Sequence, residues 1–348
     1  MNARAIFLAL GLSLAPALAQ AQGFNGLRDA PEGFAQPTPG TPIVFPQDHG
    51  AHPAFRTEWW YLTANLRDAD GAVWGAQWTL FRHGRAPGAG EGWDDPGLWM
   101  AHAAVTGATR HLHAETMGRG GVGQAGVEAA PFRAWIDDWT FASSDAALTT
   151  AHVAARGENF AYALDLTRDG PFVLQGDAGY SRKSQSGQAS FYYSQPFFRV
   201  SGALVVDGRE HRVTGRAWMD REWSSQMLGA DQKGWDWFSL HLASGEKAML
   251  FRLRGARDYV SGNWIAPDGA TTLLSGDDIA IEPIETHAVA GRSVPTRWRV
   301  TVKSRGLSVE ARALNPDSWM ATGMPYWEGP IALAGSQSGE GYLEMTGY

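Results

Sequence analysis

The sequence predicts an all-β protein made of two antiparallel halves, a sandwich or barrel in class, and three observations carry that prediction. Short apolar or alternating runs begin at Ile43 and are separated by Asp-Gly and Ser-Gly pairs, the pattern of tight hairpins. The chain holds 42 glycines, enough for many turns. No segment keeps a helical period over about three turns, which sets an α/β fold aside.

The hairpins follow in order. Trp60 to Leu66 and Val73 to Phe81 flank Asp70-Gly71; Val200 to Val206 and His211 to Gly215 flank Asp207-Gly208. Phe238 to Leu242 and Ala248 to Leu253 flank Ser244-Gly245, and Trp264 to Thr272 turns at Asp268-Gly269. In Trp298 to Lys303 the period is two, with Trp298, Val300 and Val302 on one face and charged residues on the other, as in a half-buried strand. The polar stretch Ser224 to Gly234 divides two strand-rich halves, expected over 43–228 and 229–348. A chain of 348 residues exceeds the size at which single cores usually stop growing. No internal repeat is evident, although Glu58-Trp59-Trp60-Tyr61 and Trp235-Asp236-Trp237-Phe238 open the two halves alike.

At the N-terminus, Arg4, the apolar run Ala5 to Leu14 and small residues at Ala17, Ala19 and Ala21 form the pattern of a secretory signal peptide over 1–21. Residues 22–42 read as a surface lead-in. An exported, periplasmic or secreted protein is therefore expected. With no cysteine the chain has neither disulfides nor a lipoprotein attachment site. A net charge of -7, a pI near 5.8 and the lack of Lys/Arg runs argue against nucleic acid as a partner. The 16 tryptophans need a cause: indole packs cores, but it also lines sites for apolar rings, polyenes, sugars and developing cations.

Two segments concentrate chemistry. In His52 to Tyr61, strand alternation puts Glu58 with Trp60 on one face and Trp59 with Tyr61 on the other. Glu58 is expected either to project into an indole-lined cavity, with a raised pKa and a general-acid role, or to pair with Arg56 in a network closing a barrel end. In Gly215 to Trp223, Asp220 and Glu222 share a face between Trp218 and Trp223. They divide acid and base roles, or Arg216 and Arg221 neutralise them in an interface network. The phenols Tyr192 and Tyr193 are candidates to orient a ligand or assist a proton donor. His102, beside Trp99, is a ligand contact or a satisfied core histidine. The candidate site thus comprises Glu58, Asp220, Glu222 and Tyr193 for chemistry, with Trp60, Arg56, His102, Tyr192, Trp218, Trp223 and Trp237 for binding.

Other patterns carry less. Gly118 to Gly123 fits GxGxxG but lacks the strand-turn-helix setting that gives it meaning. His111 and His113 share a strand face without a further ligand nearby, so no metal is expected. No GxSxG elbow is present. The segments Tyr326 to Gly329 and Gly341 to Glu344 read as structural closing strands.

These same segments resemble the AttH-like proteins and carotenoid 1,2-hydratases (hydroxyneurosporene synthases). The likeness runs from about Ile43 to Tyr348 through His52-Pro53, Glu58 to Tyr61, Tyr192 to Pro196, Ala217 to Trp223, Gly234 to Phe238, Tyr326 to Gly329 and Gly341 to Tyr348. The resemblance implies two lipocalin-like (calycin) antiparallel β-barrel domains. In the hydratase branch it implies cofactor-free addition of water to a terminal isoprenoid double bond. A signal peptide, and Arg221-Glu222-Trp223 where the hydratases resemble one another in a histidine-containing version, bring the chain nearer the secreted AttH-like branch, which is associated with ABC-type export systems.

Three functions follow as expectations. The first is a cofactor-independent hydratase-like lyase or isomerase acting on an apolar, lipid- or isoprenoid-like ligand. The second is a non-catalytic periplasmic lipophile carrier working with an ABC-type transporter. The third is carbohydrate binding or cleavage. A monomer is expected, and no cofactor.

Overall fold

The computed structural model describes residues 32–348, so the expected signal peptide of 1–21 and the first half of the expected lead-in lie outside the described residues. The chain is all-β and forms two sheets. The first contains β1 (Thr57–Asp68), β2 (Val73–Gly84), β3 (Gly97–Gly107), β4 (His111–Arg119), β5 (Ala125–Ala129), β6 (Phe132–Ile136) and β7 (Trp139–Ser143). It continues with β8 (Thr150–Arg156), β9 (Phe160–Arg168), β10 (Val173–Leu174), β11 (Tyr180–Arg182), β12 (Ala189–Val206) and β13 (Arg209–Ser224). The second contains β14 (Gly234–Leu242), β15 (Lys247–Arg254), β16 (Tyr259–Ile265), β17 (Thr271–Leu274) and β18 (Ile279–Val289). After these come β19 (Arg292–Val302), β20 (Leu307–Ala313), β21 (Trp319–Met320), β22 (Tyr326–Gly335) and β23 (Gly339–Thr346).

In the first sheet the strand order is β4-β3-β2-β1-β13-β12-β9-β8-β7-β6-β5, and in the second it is β17-β16-β15-β14-β23-β22-β20-β19-β18. The first sheet curls into a nearly closed barrel and the second into a half-barrel. Across the remaining gap of the first, Thr116 Oγ1 on β4 donates to Asp137 Oδ2 beyond β6 at 2.9 Å, and the Arg119 amide donates to Gln124 Oε1 at 3.1 Å. Side chains thus cover backbone edges that would otherwise seek partners.

Turn chemistry explains the hairpins. Asp207 and Gly208 both have positive φ, at 50° and 80°, the geometry of the two-residue turn whose twist matches that of the strands it joins. The turn launches β12 and β13, 18 and 16 residues long, which with β1 form the middle of the first sheet.

Register then decides what meets what. On β1 and β13 the opposed pairs are Glu58 with Trp223, Trp60 with Arg221, Trp59 with Glu222 and Tyr61 with Asp220. On β12, Tyr192 opposes Glu222, Tyr193 opposes Arg221 and Ser194 opposes Asp220. One face of this three-stranded strip therefore carries Glu58, Trp60, Tyr193, Arg221 and Trp223 into the barrel. Its other face turns Trp59, Tyr61, Tyr192, Asp220 and Glu222 toward the second sheet.

The barrel interior is packed rather than hollow, with Trp60, Leu62, Trp78, Leu80, Phe132 and Phe141 fully buried. The second sheet has its own core around Phe238, Trp298, Val300, Val302, Trp327 and Leu343. A third apolar cluster, including Tyr61, Tyr192, Trp218, Trp237, Phe251 and Tyr342, joins the two sheets. Polar contacts cross the same seam: Asn65 Nδ2 donates to the Gly341 carbonyl at 2.8 Å, and the Gly176 amide donates to Asn263 Oδ1 at 2.7 Å.

Candidate functional site

A cavity of about 470 Å³ lies at this seam, between the outer face of the first barrel and the face of the second sheet that points away from that sheet's own core. Trp59 and Tyr61 of β1, Phe81 of β2, Tyr192 of β12, Trp235 and Trp237 of β14, and Phe251 of β15 supply aromatic wall. Met100, Met117, Met227 and Met324 add flexible apolar surface. Into this lining project the carboxyl groups of Asp220, Glu222, Glu344 and Glu115 and the Lys183 amine.

The acids differ because their partners differ. Glu222 faces Lys183 Nζ at 2.6 Å and accepts from Ser190 Oγ at 2.5 Å. Two residues along the same strand, Asp220 accepts from Ser194 Oγ and from Trp218 Nε1 at 2.8 Å. Loss of water on burial pushes Asp220 up to about 7, overriding the donors from Ser194, Trp218 and Tyr192, and neighbouring Glu222 pushes in the same direction. Glu344 on β23 is likewise raised by burial to about 7, against the Trp235 Nε1 donor at 2.6 Å, with Asp220 and Glu222 adding repulsion. The cavity therefore has two carboxyl groups poised to hold or release a proton near neutral pH.

Behind the wall runs a chain of polar contacts. Tyr61 donates to Glu328, which is fully buried and, through desolvation and then the Glu344 charge, held well above the usual carboxylate range. Tyr326 lies within hydrogen-bonding reach of Glu328, and its hydroxyl contacts His102 Nδ1 at 3.0 Å. The other His102 nitrogen faces Glu115 at 3.4 Å. Burial lowers the His102 pKa despite Glu115, so the imidazole is neutral at neutral pH.

The AttH-like family matches residues 36–348. The chain belongs to the AttH-like family. A crystal structure of an AttH protein from Nitrosomonas europaea is 34% identical to this AttH-like chain, with a TM-score of 0.80, covering 90% of this chain and 100% of that one. Kievitone hydratase from Nectria haematococca is 15% identical with a TM-score of 0.68, covering 91% of this chain and 97% of that one. CghA is 15% identical with a TM-score of 0.52, covering 90% and 96% respectively. At such identity these last two show a shared lipocalin-like fold and nothing about reaction. No curated protein matches the chain.

Among the residues singled out in the sequence of this AttH-like chain, Asp220, Glu222, Tyr192 and Trp237 line the cavity. Trp218 lies directly behind, holding Asp220 through its indole nitrogen. Of the two expectations for Glu58, the general acid is overturned. Glu58 faces into the barrel, where Arg221 and Arg82 hold its carboxyl far below the usual range against the cost of burial, so it is an ionised counter-ion and not a general acid. The barrel-end network does exist, but with Arg82 and Arg221 in place of Arg56, whose backbone amide donates to Ser225 Oγ at 3.2 Å.

Trp60, Tyr193 and Trp223 share that inward face. The Trp60 indole donates to the His49 carbonyl at 2.8 Å, and the Arg221 guanidinium lies 4.0 Å from the Trp60 ring centre. Tyr193 contacts His49 Nδ1 at 2.7 Å, and Trp223 stacks on His52 at 4.1 Å. His102 sits behind the cavity wall between Tyr326 and Glu115. The GxGxxG stretch is the end of β4 and the loop after it, with no helix following.

The sequence marks Tyr326 to Gly329 and Gly341 to Glu344 as structural closing strands, yet Tyr326 and Glu344 line the far side of the site and Glu328 lies behind it. The available signal was a glutamate among apolar residues in each closing strand, at Trp327-Glu328-Gly329 and Leu343-Glu344-Met345, without an adjacent basic residue. Those two glutamates lie directly opposite each other on paired strands, where like charges repel.

Proposed function

We propose that this exported AttH-like protein takes an apolar, lipid- or isoprenoid-like ligand into the cavity between its sheets and adds water to it by cofactor-free acid chemistry. One observation carries the reading: Asp220 is a desolvated carboxyl with a pKa near 7, set in an aromatic wall beside Tyr61, Tyr192 and Trp237. A neutral acid in an apolar pocket is suited to protonating a carbon-carbon double bond, and nearby ring faces lower the energy of the tertiary cation that results.

In the proposed step the π electrons of the alkene take the Asp220 proton, forming a C–H bond and leaving the positive charge on the more substituted carbon. Water then adds through its oxygen and loses one proton to the Asp220 carboxylate. The sum is H and OH added across the double bond, with the acid restored. Glu344, across the cavity, is placed to orient that water. Chemistry of this kind suits the hydratase activity named for the fungal structural relative, whose likeness supports the fold.

The test is incubation of the mature protein with a linear isoprenoid bearing a terminal trisubstituted double bond, in water labelled with heavy oxygen. A product with one labelled hydroxyl, absent with Asp220→Asn, supports the reading. Tight binding with no product in either protein overturns the enzyme and leaves a carrier.

A further inference from the structure

We propose that the mouth of this cavity docks on a lipid bilayer through a small apolar rim centred on Trp93. The proposal rests on the reading of the cavity as a lipophile site. Large apolar side chains at the surface are few among the described residues; the two most exposed are Trp93 at 71% and Met117 at 68%, and Leu98, at 40%, is another. They are neighbours. Leu98 on β3 pairs with Arg119 on β4, Met100 pairs with Met117, and Arg119 both donates to the Trp93 carbonyl at 3.0 Å and lies 5.6 Å from the Trp93 ring centre. Leu98 and Met117 also line the cavity, so the exposed rim is continuous with its apolar wall.

That continuity indicates the occupant. A ligand with little solubility in water leaves a membrane most readily when apolar surface reaches from the bilayer to the pocket without a gap. Three protruding side chains are too few for a stable protein interface, which needs about 800 Å² from each partner. They do suffice for shallow insertion, and an indole beside a guanidinium is the combination that settles at the headgroup level of a bilayer. The turn that presents Trp93 is held from beneath: the Gly97 amide donates to Asp95 Oδ1 at 2.6 Å, and the Asp94 amide donates to the Glu91 carbonyl at 3.2 Å.

The absence of cysteine gives a clean probe. Asp94→Cys, in the rim turn, and Glu282→Cys, on exposed β18, would each carry a polarity-sensitive fluorophore and be mixed with vesicles of phosphatidylcholine and phosphatidylglycerol. Docking predicts a blue-shifted, brighter signal at position 94 and none at 282. It also predicts that Trp93→Ser weakens vesicle co-sedimentation by about tenfold while uptake of a detergent-dispersed apolar dye is unchanged. An unresponsive probe at 94, equal responses at both positions, or undiminished co-sedimentation of Trp93→Ser would overturn the proposal. Vesicle binding without dye uptake would instead uphold docking and count against the lipophile reading of the cavity.

Discussion

The hydroxyl of Tyr61, on the first sheet, donates to the carboxyl of Glu328, on the second, and both side chains are buried. Burial, and then the Glu344 charge, push the Glu328 carboxyl well above its usual range, which favours a neutral hydrogen bond across the seam over an ion pair with its desolvation cost. Tyr61→Phe is expected to destabilise the protein by about 1–3 kcal/mol, since it strands a buried acceptor. Glu328→Gln keeps a carbonyl for Tyr61 and should cost under about 1 kcal/mol. Urea unfolding of the two variants checks the order; a costlier Glu328→Gln would mean that the carboxyl is ionised.

A second expectation concerns pH. Asp220 and Glu344 hold protons up to about pH 7 when folded but release them near the ordinary carboxylate values of 3.8 and 4.5 when unfolded. Over that interval these two groups bind more protons in the folded state, so their contribution to stability falls as pH rises from about 4 to about 7 and then levels. The Asp220→Asn, Glu344→Gln double variant should show a shallower fall in unfolding midpoints than wild type across the range, with Glu328 still contributing in both. Turnover that depends on the Asp220 proton should decline as pH passes about 7.

Glu58 has the opposite sign. Its folded pKa is depressed, so its contribution is complete above the ordinary glutamate range and is lost only as pH falls into strong acid. Glu58→Gln leaves Arg82 and Arg221 buried without their counter-ion, a change expected to cost about 3–5 kcal/mol at neutral pH. Comparing thermal unfolding of wild type and variant near neutrality and in acid checks both halves: the deficit should shrink as pH falls.

Gly75, on β2, is a point of close approach by the second sheet. A Cβ there would lie 2.5 Å from the Tyr342 hydroxyl and 2.8 Å from Pro330. Gly75→Ala is therefore expected to force the sheets apart at a loss of about 1–3 kcal/mol. Titration of the same variant with an apolar dye should show weaker uptake, because the cavity walls shift with the sheets; unchanged stability and uptake would show that the seam yields freely.

What the sequence made legible was local. Asp70-Gly71, Asp207-Gly208, Ser244-Gly245 and Asp268-Gly269 each mark a hairpin because turn geometry depends on adjacent residues. Alternation also separated Glu58 and Trp60 from Trp59 and Tyr61. It did not show which of those faces meets the cavity, because both are buried: one in the barrel and one against the other sheet. The pairing of Glu58 with Arg82 spans two strands, and that of Tyr61 with Glu328 spans both sheets, so neither is written in a spacing. Glu344 went unread for the same reason, since its closeness to Asp220 arises only when the chain's last long strand packs against the outside of the first barrel.

The cavity's location also bears on how such a protein diversifies. The proton-holding Asp220 and the lysine-paired Glu222 belong to the first sheet, whereas Trp235, Trp237, Phe251 and Met324 belong to the second half of the chain. Mutations in that second half can reshape the ligand's berth while the acid strip stays as it is, and neither half alone encloses a berth at all. Inheritance of the site is thus shared: with Glu344 also on the second half, a change of ligand preference there must leave that one acid in place.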